Sequence, residues 1–433
     1  MKQHKLLRLM AVVGVMALLA AACGGEKEDE PTAGGDDGEK KTLTNGPGFN
    51  GSTINVGVIT PLSGPVAVIG NPLTAGTETW FKYYNEEKGG IAGKYKVNIL
   101  KEDSQYKPDL GVAGYTKIKN DVTLFAQLLG TPITKAVLPQ LESDKIVAAP
   151  ASLDVDWVAE PNLLPVGGPY EIQMINAAAY VENEGGGKGK VKCSMVQDDA
   201  YGQSGQRGIE FAAKELKYEL KTTARFAAGS ADFTAQVTSL KQNGCQVVFL
   251  TATPSDTGKI LSAAAGQLQF APQWVGQSPT WTGTFAKSPA LAPYMQTNFL
   301  LAAEGTEWGD TSVKGMADML DRLQKYTPSQ QPDIYFVFGY YQARAVTALL
   351  EKAVENGDLS REGVLKALSQ LGTVEFDGLT GDYQYGSKIA DRNPPRATTI
   401  YKVDPAKPGG LAKVKYEFTS DAAKKYELKA PGA

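Results

Sequence analysis

The first residues suited to chemistry are the hydroxyl-bearing and small side chains of 60–65, Thr-Pro-Leu-Ser-Gly-Pro. They follow a β-branched run over 54–59, which predicts a buried strand. Asn71-Pro72 predicts the cap and first residue of a helix that ends at Gly89-Gly90. In an open parallel sheet such a loop faces the crevice where ligands bind, and helix amides can receive an anion. The alternative is a turn with no ligand, and this stretch alone leaves both open.

The chain contains one histidine, His4, which lies in a segment that we expect to be removed. A mature protein without imidazole cannot use a Ser-His or Cys-His nucleophile pair, nor the commonest metal ligand. We therefore expect no enzyme, no metal and no cofactor, although carboxylate chemistry stays open. The glycine spacings over 187–190 and 202–208 do not match nucleotide-binding loops.

The balance of 44 Lys and Arg against 47 Asp and Glu gives a net charge of -3, with the lysines dispersed among carboxylates. Nucleic-acid binding would call for clustered basic surface, so we expect no nucleic-acid partner. A length of 433 residues exceeds one typical hydrophobic core, which favours two lobes or domains.

The N-terminal 52 residues predict export and attachment. Lys2, Lys5 and Arg8 precede a run of about 14 apolar or small residues that suits a signal peptide over 1–22. Ala20-Ala21-Ala22-Cys23 resembles the lipobox of bacterial lipoproteins, although the position three before the cysteine is more often Leu. The resemblance implies lipidation of Cys23; the alternative is an ordinary signal peptide with an incidental cysteine. Residues 23–52 almost lack large apolar side chains, which predicts a disordered tether.

From residue 54 onward strands alternate with helices, and the same alternation starts again near Tyr170. Strands that alternate with helices indicate a parallel, doubly wound sheet, so two successive sets predict two similar α/β lobes. A later helix carries Ile334, Phe338, Tyr341 and Ala345 on one face. The last sixty residues hold further strand-like pieces.

Taken together, these features resemble the type I periplasmic binding proteins of ABC importers, in the branched-chain amino acid group. The resemblance is carried by the lipobox and by four stretches, namely 60–65, 85–93 (Asn-Glu-Glu-Lys-Gly-Gly-Ile-Ala-Gly), 198–202 and 258–261. It implies two lobes joined by a three-segment hinge and closing over a ligand. Lobe one would comprise 53–168 and 302–381, and lobe two 169–301 and 382–433.

The resemblance also implies where the ligand binds. The ligand carboxylate would be held at Thr131 and at the stretch Ala151-Ser152-Leu153, where hydroxyls and free helix amides can bind an anion. Tyr201 would pack on the ligand, and Ile69 would line its side-chain pocket. The alternatives are that Thr131 is a simple helix cap and that Tyr201 is a packed loop aromatic.

Two positions depart from the pattern of the group. Where the group has an acidic residue that pairs with a ligand ammonium, this chain has Ser278. Where the group has a second tyrosine, this chain has Thr253. A buried ammonium without a carboxylate partner is costly. Either Asp199 or Asp256 substitutes, or the ligand has no α-ammonium. Trp281 would stack on an aromatic or amide ligand, or else be a rim residue.

Cys193 and Cys245 precede the ends of two strands by similar distances, and those strands are neighbours in a sheet of this type. Export to an oxidising compartment would allow a disulfide. The alternative is a pair of buried thiols.

The expected function is a lipid-anchored solute-binding protein, outside the cytoplasmic membrane, that binds a small amino-acid-like, amide or carboxylate ligand. Its partners would be that ligand and the permease subunits of an ABC importer, with the membrane contacted through the lipid anchor. We expect a monomer. The alternative is a ligand-sensing receptor subunit on the same fold.

Overall fold

The apolar strands of the first third of the chain form a parallel sheet in the computed structural model, which describes residues 43–428. The strands and helices of this part are β1 (Thr53–Thr60), α1 (Ala67–Glu87), β2 (Lys96–Asp103), α2 (Pro108–Ile118), β3 (Leu124–Leu129), α3 (Thr131–Asp144) and β4 (Ala148–Ala151). The sheet order is β2-β1-β3-β4. Every residue of β3 and β4 is buried, because helices cover both faces of the sheet.

A second sheet contains the next set of strands. The elements are α4 (Tyr170–Asn183), β5 (Lys192–Gln197), α5 (Ala200–Leu216), β6 (Leu220–Phe226), α6 (Thr234–Gln242), β7 (Val247–Thr251), α7 (Pro254–Ser262), β8 (Gln273–Gln277), α8 (Ala292–Asn298) and β9 (Phe299–Ala303). After β9 come α9 (Lys314–Tyr326), α10 (Ile334–Glu355), α11 (Arg361–Ser369), β10 (Thr373–Val374), β11 (Tyr383–Gln384), β12 (Thr398–Val403), β13 (Leu411–Phe418) and α12 (Asp421–Lys425). The order of this sheet is β13-β12-β9-β8-β7-β5-β6.

We call residues 43–151 and 314–385 lobe A, and residues 170–303 and 398–428 lobe B. The chain crosses between them in three segments, 152–169, 304–313 and 386–397, which we call the first, second and third crossovers. The predicted α/β fold with two parallel-sheet lobes is confirmed. One edge of lobe B differs, because β12 pairs antiparallel with both β9 and β13. Among residues 43–428 no helix combines the length and apolarity needed to span a membrane.

Two lobe boundaries differ from the sequence prediction. Ala302 pairs with Ile400 within the sheet of lobe B, so it does not open the second part of lobe one as 302–381 required. Tyr383 and Tyr385 belong to the hydrophobic core of lobe A, which places the boundary after 385 instead of after 381. Both errors arise because core membership depends on which sheet a short segment packs against, and local periodicity does not show this.

The end of the predicted tether is also ordered. Thr44 donates its N–H to the carbonyl of Gly357 (2.9 Å) and accepts from the N–H of Leu359 (3.0 Å). Phe49 packs its ring edge against Tyr95 at 5.1 Å between centroids. Residues 43–52 are therefore part of lobe A, because its strand and helix ends offer them hydrogen bonds and an apolar contact. The predicted signal peptide, Cys23 and the remainder of the tether lie outside the described residues.

Helix α1 begins earlier than Asn71-Pro72. It starts at Ala67, and Pro72 lies inside it. The N–H groups of Ile69 and Gly70 both bond to the carbonyl of Val66, which closes the first turn before the proline is reached. Pro72 has no N–H to donate to the carbonyl of Val68, so the helix loses one hydrogen bond there. Val68 is exposed, and water can bond to its carbonyl instead.

Cys193 of β5 and Cys245, just before β7, are joined by a disulfide with a Cα–Cα distance of 5.8 Å. The two strands are neighbours, since Cys193 is level with Val248 in their parallel pairing. The bond ties a loop of 52 residues within lobe B.

Lobe A is built around a close packing of α1 against α10. A Cβ at Gly339 would overlap the carbonyl oxygen of Leu73, and a Cβ at Gly76 would overlap that of Phe336. The two glycines thus let the helix backbones touch. Trp80 Nε1 donates to Thr347 Oγ1 (2.8 Å) along the same contact.

We predict that Gly339→Ala lowers the free energy of unfolding by about 2 kcal/mol, because the added methyl group forces the two backbones apart. Urea denaturation measures the change. Gly266→Ala is the matched control: its methyl group would enter open space, so an effect within about 0.5 kcal/mol is expected. Equal effects at both positions would contradict the close-packing account.

Candidate functional site

A cavity of about 850 Å³, including the part that is open to solvent, lies between the two lobes. Its walls come from lobe A, lobe B and the crossovers, and most of them are apolar or aromatic. Among the described residues that line it, Glu304 is the only one with a formal charge. Within residues 43–428 no group of three or more His, Cys, Asp and Glu could hold a metal ion.

One corner of the cavity is suited to an anion. Thr131 opens α3 directly after Gly130, whose φ of 109° lets the chain turn from β3 into the helix. Thr131 Oγ1 and Ser152 Oγ are 2.6 Å apart, and Trp157 Nε1 donates to Ser152 Oγ (3.2 Å). The first turn of a helix also presents N–H groups that have no partner within the helix. Two hydroxyls and helix amides therefore converge here without a cation.

Five tyrosines line the cavity besides Phe338: Tyr106, Tyr170, Tyr201, Tyr335 and Tyr341. Burial raises the pKa of every one of these hydroxyls, so that each remains a neutral hydrogen-bond donor at physiological pH. The rings of Tyr170 and Tyr201 meet edge to face at 5.1 Å, and Tyr335 Oη donates across the cleft to the carbonyl of Trp281 (2.6 Å). The wall is thus apolar with a few fixed donors.

Glu304 lies in the second crossover, directly after β9. Its Oε1 accepts from Tyr341 Oη (2.7 Å), and its Oε2 accepts from the N–H of Gly168 (2.8 Å) and from Thr380 Oγ1 (2.9 Å). Burial raises the pKa of this carboxyl group, while the three hydrogen bonds oppose the rise.

Eight of the nine ligand-binding residues predicted from the sequence line this cavity: Ile69, Thr131, Ala151, Ser152, Leu153, Tyr201, Thr253 and Ser278. They come from the carboxyl ends of strands in both sheets and from the first turns of α1, α3 and α5. The edge where parallel strands end is where such residues can meet.

The prediction for Trp281 is wrong. Its side chain is 1% exposed and packs in the core of lobe B, against Phe285 at 5.9 Å and Phe299 at 6.4 Å between ring centroids. A short turn over 278–280 follows β8 and directs the indole away from the cleft. Only the carbonyl of Trp281 takes part in closing the cavity.

Neither aspartate considered as an ammonium partner lines the cavity. Asp199 caps α5 by accepting from the N–H of Gly202 (3.0 Å), and Asp256 accepts from the N–H of Gly229 (2.9 Å). Ser278 donates its N–H and its hydroxyl to Gln173 Oε1, both at 3.1 Å. The carboxylate expected for an α-ammonium is thus not replaced by these neighbours.

The sequence analysis missed Tyr106, Tyr170, Tyr335, Tyr341 and Glu304. A signal was present for Glu304, because a lone carboxylate directly after the apolar run 299–303 marks the end of a buried strand. The three tyrosines on α4 and α10 gave no such signal, since an aromatic residue on a helix is usually a core residue. Tyr106 lies in the turn between β2 and α2.

A charged cluster bridges the lobes at the rim of the cleft. Arg207 of α5 contacts Asp154 of the first crossover at 2.7 Å and Glu171 of α4 at 2.6 Å. Lys135 of α3 contacts Asp156 at 2.9 Å. The cluster therefore connects α3 of lobe A, the first crossover and two helices of lobe B.

We predict that Arg207→Met lowers the free energy of unfolding by about 3 kcal/mol at pH 7, because it leaves the buried carboxylates of Asp154 and Glu171 without their guanidinium. A loss of about 3 kcal/mol is at the low end of the range for breaking a buried ion pair. We expect the low end because the Arg207 side chain is 35% exposed. Burial is the largest cause, and repulsion by a neighbouring aspartate the second, of a raised pKa in both Asp154 and Glu171. The folded state therefore binds protons more readily than the unfolded chain. The free-energy cost of burying these two carboxylates without Arg207 is therefore greatest at neutral pH and falls as the pH is lowered.

Thermal and urea unfolding at pH 7 and at about pH 5 should show a smaller effect of Arg207→Met at the lower pH. The matched control is Arg225→Met, which removes a longer pair with Asp198, 3.7 Å apart and both groups largely exposed. Its effect should be below about 1 kcal/mol at both pH values. A pH-independent loss for Arg207→Met would contradict the electrostatic account.

Comparison with known proteins gives a family and several relatives, the first of which matches about half of its own length. A model of the family described as "Periplasmic binding protein" matches residues 53–409. "Leu/Ile/Val-binding protein homolog 3" of Brucella melitensis is 29% identical over 215 residues, 47% of this chain and 56% of that relative. "Leu/Ile/Val-binding protein homolog 1" of the same organism is 25% identical over 357 residues, 78% of this chain and 89% of the relative.

Among solved structures, the "Fatty acid ABC transporter substrate-binding protein from Thermomonospora curvata" superposes with a TM-score of 0.83 at 26% identity. The match covers 90% of this chain and 98% of that structure. The shared fold thus extends over both lobes and all three crossovers.

Proposed function

Because the chain belongs to the periplasmic binding protein family, in its type I branched-chain amino acid group, we propose that it is an exported solute-binding protein that delivers a monocarboxylate with an apolar body to an ABC importer. The observation that carries the proposal is the cavity between the lobes, with walls from both. A solute that contacts both lobes draws them together, so binding is coupled to closure. The role is binding and delivery without chemical conversion.

The carboxylate is assigned to the corner formed by Thr131, Ser152 and the start of α3. Charge-assisted hydrogen bonds contribute about 1.5–3 kcal/mol each, so two or three neutral donors suffice for one carboxylate. The relatives' names support this class of ligand, since amino acids and fatty acids both carry a carboxylate.

The ligand is proposed to lack an α-ammonium. Ser278 stands where the group has its acidic partner, and its hydroxyl is already bonded to Gln173. Glu304 already accepts three hydrogen bonds from the protein, so an ammonium there would have to compete with those donors. A ligand ammonium at Ser278 would therefore lack the acidic partner that the group provides there, at a substantial desolvation cost.

The body of the ligand is assigned to the apolar part of the wall. Ile69 and Leu73 of α1 and Leu129 of β3 meet Val337 and Phe338 of α10 there. Such walls favour aliphatic or aromatic chains at roughly 0.8 kcal/mol for each buried methylene group.

The lipid anchor at Cys23 remains part of the proposal. Cys23→Ser should move the exported protein from the membrane pellet to the soluble fraction, because no acylated cysteine would then hold it. Ala20→Leu, which brings the lipobox closer to its usual form, should leave it in the pellet. A Cys23→Ser protein that still sediments with membranes would contradict the anchor.

We predict that 4-methylpentanoate, which is leucine without its α-amino group, binds at least about tenfold more tightly than L-leucine, because leucine must bury an unpaired ammonium. Isothermal titration calorimetry of the mature protein measures both affinities, with octanoate and benzoate extending the series.

The neutral analogue 4-methylpentanamide is the control for the carboxylate. It should bind more weakly than the acid, and Thr131→Val should reduce this preference, since a charge-assisted bond is lost. Tighter binding of leucine than of 4-methylpentanoate would contradict the proposed ligand class.

A further inference from the structure

Glu304 brings a negative charge to a cavity whose other described lining residues are neutral. The carboxylates of the rim cluster and those of Asp199 and Asp256 do not line the cavity. A ligand enclosed by the lobes therefore meets one acidic side chain and no basic one. Burial raises the pKa of this carboxyl group, and its three hydrogen bonds favour the anion.

The carboxylate of Glu304 is fixed in place. It is bonded to Gly168 of the first crossover, to Tyr341 of α10 and to Thr380 of the loop between β10 and β11. The carboxylate also lies where a Cβ on Gly167 would project, so only a glycine fits beside it. The charge cannot swing away from the cavity without breaking contacts to three chain segments.

No Lys or Arg among residues 43–428 forms a salt bridge with Glu304. Its three partners are neutral donors, which stabilise the ionised form but leave its net charge uncompensated. Once the lobes enclose a ligand and exclude water, such a charge acts strongly on other charges.

We propose that Glu304 is a specificity-determining residue that restricts the cavity to ligands with a single anionic group and rejects dicarboxylates of the same length. This inference rests on the proposed monocarboxylate function. One carboxylate is held by the donors at Thr131 and Ser152. A second carboxylate in the same cavity would meet no cation and would be repelled by Glu304.

The test compares matched ligands by isothermal titration calorimetry: octanoate, octanedioate and the monomethyl ester of octanedioate. The ester fills the same space as the diacid without the second charge. The wild-type protein should bind octanoate and the ester at least about 100-fold more tightly than the diacid, as expected for juxtaposed like charges. This wild-type result tests the proposal even if a variant fails to fold.

Glu304→Gln should reduce the ratio of monoacid to diacid affinity at least about tenfold, because it removes the charge while keeping the shape. Its amide oxygen can still accept from Gly168 and Thr380, and its amide nitrogen can donate to Tyr341. Glu304→Asp, which keeps the charge, should keep the high ratio. Thermal unfolding of both variants checks that the fold is intact.

Four outcomes would overturn the inference. If the wild-type protein binds monoacids and diacids equally, or if the ratio is unchanged in Glu304→Gln, Glu304 does not set this specificity, while the proposed function stands. If the wild-type protein binds leucine and Glu304→Gln abolishes that binding, Glu304 is an ammonium partner instead. Absence of binding of every monocarboxylate would overturn the proposed function as well.

Discussion

The second crossover at residues 304 and 305 is the point on which the rest of the structure depends. A buried carboxylate must be supplied with donors, and Glu304 draws these from the first crossover, from α10 and from the loop that holds Thr380. The carbonyl of Gly305 accepts from Thr399 Oγ1 and Tyr401 Oη of lobe B. Two consecutive residues of the second crossover thereby connect to both lobes and to the first crossover.

Charged side chains form ion pairs at the rim of the cleft, whereas neutral donors line its interior. At the rim, Lys135 and Arg207 face Asp154, Asp156 and Glu171, where partial access to water lowers the cost of holding five charges together. Inside, hydroxyl groups and helix amides replace cations at Thr131 and Ser152. Neutral donors are less costly to desolvate than a cation when the cleft is open to water and then closes. The arrangement suits a site that must both hold and release its ligand.

Particular residues show how much of the site and of the fold could be predicted from the sequence. Thr131, Ser152 and Tyr201 were assigned to the site by the resemblance to the family. They line one cavity because each follows a strand end, and strand ends in parallel sheets share one edge. Position along the chain was enough for these. It was not enough for Trp281, whose turn after β8 sends the indole into the core, nor for the start of α1, where Val66 closes a turn ahead of Pro72. Such outcomes depend on backbone geometry over two or three residues, which residue type alone does not specify.

The sequence by itself determined the alternation of strands and helices, the two-lobed fold, the neighbouring strands that bring Cys193 and Cys245 together, and the edge at which a ligand would lie. These features follow from hydrophobic periodicity and from the order of elements, which are local properties of the chain. Only the tertiary structure decided that Glu304 meets Gly168, Tyr341 and Thr380, and that it is the charged group of the cavity. Those four residues are separated by up to 212 positions along the chain, from 168 to 380, and contacts over such distances arise from the packing of whole elements. The free energy of burying a charge depends on that packing, because it is set by every group that surrounds the charge in space.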